Sequence, residues 1–263
     1  MLYREFQPQP SLRRDVKLIW VLETESPAPE PQRILPDGIV EVGFHYGAPY
    51  ESRFEGDPWC PQARSFVATQ TKRYLEIRPT GPSGFIAIRF YPWGARRFFR
   101  APVSELSERI LPADAIWGKA ARDLTERVGN ASSTSERLER VERFLLARYD
   151  ERELDVVDRG SQFIWRRHGQ LSVRALCEEL GSGERTLERR FREGTGTTPK
   201  RMARLVRFLS ACRSLKSERY NLAGLAHDSG YHDQAHFIKE CRAFSGLTPG
   251  QLLTHEELSF FEL

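Results

Sequence analysis

Residues 176–202 and 225–251 pass through the same order of side chains, and this repetition limits the fold more tightly than any bulk property of the chain. The first copy contains L-G-S-G-E-R-T-L-E-R-R-F-R-E-G-T-G-T-T-P, and the second S-G-Y-H-D-Q-A-H-F-I-K-E-C-R-A-F-S-G-L-T-P. Gly181 corresponds to Gly230, Leu187 to Phe237, Phe191 to Cys241, Gly196 to Gly246, and Thr198-Pro199 to Thr248-Pro249. Each copy reads as a short apolar helix, a glycine turn, an amphipathic helix with a polar face, and a Thr-Pro helix start. That is a helix-turn-helix in tandem. Two such units on one chain can address two turns of a DNA major groove.

The first unit is the more basic. Ser172 is the expected cap of its supporting helix, with Val173, Leu176 and Leu180 inward, and Gly181 closes it in the left-handed conformation. The next helix is predicted from Ser182–Gly183 to about Glu193. Leu187 and Phe191 form its buried side, which puts Arg185, Glu188, Arg189 and Arg192 opposite and Arg190 on the flank. Arginine can grip guanine O6 and N7 with two hydrogen bonds. Glu188 has two readings, as an acceptor from cytosine N4 or as the ion-pair partner of an arginine.

A long helix is predicted from Thr198-Pro199 to about Lys216, roughly 27 Å at 1.5 Å per residue. Its apolar side is Leu205, Phe208, Leu209, Cys212 and Leu215, and Lys200, Arg201 and Arg204 are candidate phosphate contacts. In the second unit Asp233 caps a helix running to about Phe244. Phe237, Cys241 and Phe244 turn inward, and Gln234, Ala235, His236, Lys239 and Arg242 turn outward. From Arg185 to Lys216 the basic side chains (Arg185, Arg189, Arg190, Arg192, Lys200, Arg201, Arg204, Arg207, Arg213, Lys216) far outnumber the acids Glu188 and Glu193. Such an excess suits a polyanionic partner. The spacing of His232 and His236 suggests a metal only superficially, because His232 precedes the helix cap.

The segment G-Y-H-D-Q-A-H-F-I-K-E-C-R-A-F-S-G-L-T-P-G-Q-L-L resembles the signature of the AraC/XylS family of bacterial transcription regulators, and the likeness extends from Val157 to Glu257. It implies two recognition helices in successive major grooves. The family's base-contacting positions fall on Arg185, Glu188 and Arg189, and on Gln234, Ala235, His236 and Lys239. Cys241 stands where the family usually has an aromatic residue, and Ala235 is shorter than the polar side chain often found there. The resemblance also implies a bacterial cytoplasmic protein, at the nucleoid when bound, with double-stranded DNA as partner. RNA polymerase is a further candidate partner, and the chain acts as a monomer or homodimer.

The expected fold is α+β: a β-rich unit over residues 1–152, with helices from about 104, and an all-α tandem helix-turn-helix unit over 153–263. The 263 residues suffice for two domains. No stretch approaches the roughly 20 apolar residues of a membrane span, and the N-terminus lacks a secretory pattern. Residues 15–103 read as strands, notably 39–47, 64–69, 74–79 and 85–91, joined by P-D-G, G-D-P and G-P-S-G turns in a sandwich or small barrel. Val40, Val42, Phe44 and Tyr46 share one face, and Ile86, Ile88 and Phe90 share another. Asp114–Val128 and a helix opened by the Ser133-x-x-Glu136 capping box follow. The latter carries Leu138, Val141, Phe144, Leu145 and Tyr149 for its own sheet or a partner subunit.

L-P-D-G-I-V-E-V-G-F, I-R-F-Y-P-W-G-A-R-R-F-F and V-S-E-L-S-E resemble the cupin-like sensor domain of a family subset, which implies a small effector. Trp20, Phe44, Tyr46, Phe66, Tyr74 and Phe90 could line its pocket, with Glu41 and Arg89 as polar anchors. The alternative is an ordinary filled core. The rival functions are a constitutive DNA binder whose ligand-free barrel dimerises, and a cupin-type metalloenzyme. The β region offers one histidine, His45, with Glu41 on its strand, short of a usual metal site. No catalytic residue, metal or cofactor is expected.

Overall fold

The computed structural model describes residues 2–25, 31–69, 71, 73–99, 102–106, 110–217 and 221–254. Among these residues, ten strands form two antiparallel sheets. In the first, β1 (Leu2–Phe6), β2 (Val16–Thr24), β9 (Ser83–Phe90), β4 (Glu41–His45), β7 (Ser65–Ala68) and β10 (Ile110–Pro112) lie side by side in that order. In the second the order is β3 (Gln32–Ile34), β8 (Leu75–Pro79), β5 (Tyr50–Phe54) and β6 (Cys60–Pro61). The expected barrel does not close: among the described residues no ladder joins the two sheets, and the unit is an open sandwich.

Alternation decides what each strand buries. Ile19, Val21, Val42, Phe44, Val67, Ile86, Ile88 and Phe90 point to one side of the six-stranded sheet. There they meet Leu124 and Val128 of α3 (Lys119–Gly129) and Val141, Phe144 and Leu145 of α4 (Thr134–Leu146). The apolar stripe of α4 is therefore spent on its own sheet. Leu18, Trp20, Leu22, Phe66, Phe85 and Ala87 point the other way and pack with Tyr50, Leu75 and Ile77 of the second sheet. Gly43 sits where a Cβ would lie 2.5 Å from the Phe66 ring, so only glycine lets that ring cover the strand.

The helix expected over 114–128 is two pieces, α2 (Asp114–Trp117) and α3, because Gly118 breaks it at φ 57, ψ −137. Ser133 caps α4 by accepting from the Glu136 amide, but the Glu136 carboxylate reaches back to the Ser132 amide instead of Ser133. α1 (Val103–Leu106) precedes these helices and packs against the C-terminal unit.

Helices α5 (Val156–Arg166), α6 (Val173–Leu180), α7 (Glu184–Thr195), α8 (Pro199–Ser217), α9 (Leu222–Asp228), α10 (Gln234–Ser245) and α11 (Pro249–Thr254) make the C-terminal unit. Its two cores share α8. Met202, Ala203 and Val206 face Val157, Ile164, Leu176, Leu187 and Phe191 of the first helix-turn-helix. Leu205, Phe208, Leu209, Cys212 and Leu215 face Leu225, Tyr231, Phe237, Cys241 and Phe244 of the second. The sequence reading recognised the second apolar side of α8 and missed the first.

The two units are joined by buried charge as well as chain. Arg97 is fully buried, and its Nη1 donates to the carbonyls of Asp150 at 2.8 Å and Arg152 at 2.6 Å, fixing the linker into α5. Arg96 donates to Asp155, the N-cap of α5, at 2.9 Å. Leu35 enters the core of the second helix-turn-helix, and Tyr91 and Trp93 stand edge-on to Trp165 of α5.

Candidate nucleic-acid interface and the cluster between the sheets

Ser172 accepts from the Ala175 amide at 3.1 Å and starts α6, which ends at Gly181 (φ 60, ψ 35). The chain then turns into α7, where Leu187 and Phe191 are wholly buried. Each such side chain contributes about 1.5–3 kcal/mol, enough to set the rotation of the helix. Arg185, Arg189, Arg190 and Arg192 are exposed as a result, and Glu188 is half-buried. Arg189 donates to Glu193 at 3.1 Å, one turn on. Glu188 lies 3.6 Å from Arg192, an ion pair too long for a good hydrogen bond. Arg190, on the flank, lines a cavity of about 280 Å³ shared with Arg96, Phe99 and Val103 of the N-terminal unit.

The second unit repeats the device with different caps. Asn221 accepts from Gly224 at 2.7 Å, and Asp233 from His236 at 2.7 Å. That backbone bond, followed by His232, holds the Asp233 carboxyl below its ordinary range. Gln234, Ala235, Lys239 and Arg242 are exposed on α10. His236 is half-buried, edge-on to Tyr231 at 5.3 Å. Cys241 is fully buried, and burial pushes its thiol up to about 12. His232 bonds to Asp233 at 3.0 Å, and among the described residues no group of three or more metal-ligating side chains is assembled.

Arg204, a candidate phosphate contact, has a partner within the protein. Its guanidinium forms two bonds to the Glu240 carboxylate, at 2.7 and 3.0 Å, tying α8 to α10. Glu240 is buried, and the sequence reading missed it because a carboxylate on the inner side of a helix looks misplaced until its partner is known. Arg207 donates to the Gly230 carbonyl at 3.3 Å and stacks over Tyr231. Lys200 is exposed and Arg201 half-buried. Between the two helix-turn-helix units lies a groove of about 650 Å³, lined by Ser172, Arg174, Lys200, Arg204, His236 and Lys239 among others. Arg174, Lys200, Arg204, Arg207 and Lys239 outnumber the acids Glu184 and Glu240 in its lining.

The eight candidate effector residues do not form one pocket. Phe44 and Phe90 lie on the helix side of the first sheet, in a filled core. Tyr46 is also on that side, bonded to Glu23 at 2.8 Å under the guanidinium of Arg137. Tyr74 leans on the core of the second helix-turn-helix and stacks with Arg33 at 3.9 Å. The physical reason is the pleat: side chains one position apart leave opposite faces, and aromatic content does not reveal which face is enclosed.

Trp20, Glu41 and Arg89 do meet, and Phe66 lies in the same core between the sheets as Trp20. Glu41 accepts from Trp20 Nε1 and from Arg89 Nε, both at 2.9 Å. Burial pushes the Glu41 carboxyl up, against the pull of Arg89. At the domain junction near this pair, burial lowers Lys17 to about 8, and its ammonium lies 6.0 Å from the Trp165 ring centroid. His45 is buried among Tyr50, Phe66 and Phe85, with Nε2 3.1 Å from Gln62. Burial holds it down at about 4. Glu41 and His45 thus have separate partners and do not converge as metal ligands.

Residues 176–255 match the family described as a helix-turn-helix domain, across both reading helices and the joining α8. Over 84 residues the chain is 31% identical to the HTH-type transcriptional activator RhaS of Pectobacterium atrosepticum. Residues 176–255 of this chain are an AraC-type helix-turn-helix domain. The alignment with RhaS covers 32% of this chain and 30% of that protein, so it concerns the AraC-type domain and not the rest. Residues 4–112, ahead of it, match a family described as a domain of unknown function, DUF6597. ToxT from Vibrio cholerae has a similar structure over 91% of this chain and 99% of its own, with a TM-score of 0.50 and 10% identity. The shared fold therefore includes a sheet-rich unit ahead of the AraC-type domain.

Proposed function

We propose that this protein is a sequence-specific DNA-binding transcription regulator and not an enzyme. The observation that carries the reading is the pair of reading helices, α7 and α10, each held on α8 by a buried apolar side and each showing its polar side to solvent. In this reading Arg185, Glu188 and Arg189 read one major groove, and Gln234, Ala235, His236 and Lys239 the next. The groove between them, where basic side chains including Lys200 outnumber Glu184 and Glu240, receives the intervening phosphates, with Arg201 in support. RhaS is a transcriptional activator, which favours regulation over a purely architectural role.

The N-terminal unit binds a small effector close to Trp20, Glu41 and Arg89. What supports this is the cost of the arrangement: a carboxylate–guanidinium pair with Arg89 buried and Glu41 half-buried stabilises a fold little over apolar packing, which suits a role in recognition. The test is selection of bound sites from a random DNA pool, with and without a metabolite extract. The proposal expects two conserved sub-sites about one helical turn apart and a shift in affinity with extract. Enrichment of no sequence would reject it, and indifference to every extract would leave a constitutive binder.

A further inference from the structure

The N-terminal unit reaches the C-terminal end of both reading helices. On α7 the contact is at Gly194, which is buried. A Cβ there would lie 3.1 Å from Arg96 Cζ and 3.1 Å from Val157, so the Arg96 guanidinium rests on bare backbone of α7. The same guanidinium donates to Asp155 at 2.9 Å and meets Asp158 at 3.4 Å, which fixes it on the start of α5. α1 packs on α7 as well.

On α10 the contact is at Gly246, the C-cap, with φ 73. A Cβ there would stand in ordinary contact with Tyr74, 3.7 Å from its ring. Tyr74 is held in turn by the Arg33 guanidinium, 3.9 Å from the ring centroid, and Arg33 lies 3.5 Å from Glu76 on β8. The P-D-G turn touches the joining helix: a Cβ on Gly38 would lie 2.8 Å from Leu205 of α8. The N-terminal unit thus meets the first head, α8 and the second head.

Each head rests on α8 by one apolar side. Rolling about that line of support would change the angle and separation of the two reading faces. The contacts at Gly194 and Gly246 oppose such rolling from outside the helical unit. Duplex DNA makes the consequence measurable. One base pair moves a sub-site by about 3.4 Å and turns it by about 35° around the axis. A rigid pair of heads therefore accepts one separation, and a loose pair several.

We propose that Arg96 and Tyr74 are positioning residues for DNA recognition: without touching DNA, they set the separation between sub-sites that the two heads accept. This rests on the reading of α7 and α10 as the DNA-reading helices.

The experiment is fluorescence titration of the full chain with the duplex it selects from a random pool, and with that duplex lengthened or shortened by one base pair between its sub-sites. The parent is expected to bind the altered duplexes at least about tenfold more weakly, the worth of one lost base contact. Arg96→Ala and Tyr74→Ala are each expected to narrow that ratio to about threefold, with the salt slope on the selected duplex unchanged. Tyr74→Phe, which keeps the ring, is expected to discriminate as the parent does. Both alanine variants are expected to fold, because Tyr74 is half-buried and Asp155 and Asp158 keep Arg152 at 3.5 and 2.9 Å. Full discrimination in one alanine variant removes that residue from the role, and in both it overturns the proposal. A parent that binds its selected duplex and ignores the spacing overturns it too. So does a salt slope smaller by about one in Arg96→Ala, which would make Arg96 a phosphate contact. A parent that selects no sequence removes the DNA reading itself, and this inference with it.

Discussion

Arg189 donates to an exposed Glu193 in the free protein, a surface pair worth only a few tenths of a kcal/mol. Releasing it to a base edge therefore costs little, whereas a bidentate contact with guanine is worth about 1–3 kcal/mol. Arg189→Ala should lose about that much on the selected site and little on random duplex, as measured by fluorescence titration of both. Equal losses on the two would remove Arg189 from base reading. His45 makes a separate prediction. Its folded-state pKa of about 4 is depressed, so between pH 6.5 and 4 the unfolded chain binds the proton that the folded chain refuses. This contribution to stability is fully present above pH 6.5 and is lost as pH falls toward 4, by up to about 3 kcal/mol. Urea unfolding from pH 7 to 4 should show that decline, and His45→Phe should flatten it.

At the scale of elements, α8 decides how the two reading heads stand. Its 19 residues give about 28 Å of rise, and its opposite faces are the floors of both cores. The Arg204–Glu240 pair then fixes α10 against it. Arg204→Met leaves a buried carboxylate without its cation and should destabilise the protein by about 1–3 kcal/mol in urea, the half-exposed guanidinium discounting the larger cost of a fully buried pair. If the pair is structural, the salt dependence of DNA binding by this variant keeps the parent slope. A slope smaller by about one would instead return Arg204 to the phosphate contacts. The same elements explain the effector residues that scattered. Strand alternation was legible for Val42, Phe44, Ile86 and Ile88, but a strand with two covered faces hides which cover is sheet and which is helix.

Across the whole molecule, the N-terminal unit touches both reading heads. α1 packs on α7, Arg96 meets the start of α5, and Leu35 enters the core around α10. The reading surface is thus held from behind by the unit expected to sense an effector. Arg97 is central to this hold, facing Asp15 of one unit and Asp158 of the other. Arg97→Met should cost about 3 kcal/mol, because two buried carboxylates lose a cation. Differential scanning calorimetry should then resolve two transitions where the parent shows one. A single transition at the parent temperature would mean the units are coupled elsewhere.

The local rules of the chain were enough for the tandem helix-turn-helix. Gly181, Gly196, Gly230 and Gly246 all take positive φ, Ser172 and Asp233 both cap, and Leu187, Phe191, Phe237 and Cys241 are buried as their spacing requires. Such features depend on neighbours within one or two helical turns, so they can be read along a line. Tertiary structure alone decided the openness of the sandwich, the pairing of Arg204 with Glu240 and the gathering of Trp20, Glu41 and Arg89. Each of these pairings joins residues more than a dozen positions apart. Their energies come from desolvation and charge pairing, which exist only after the chain has closed on itself.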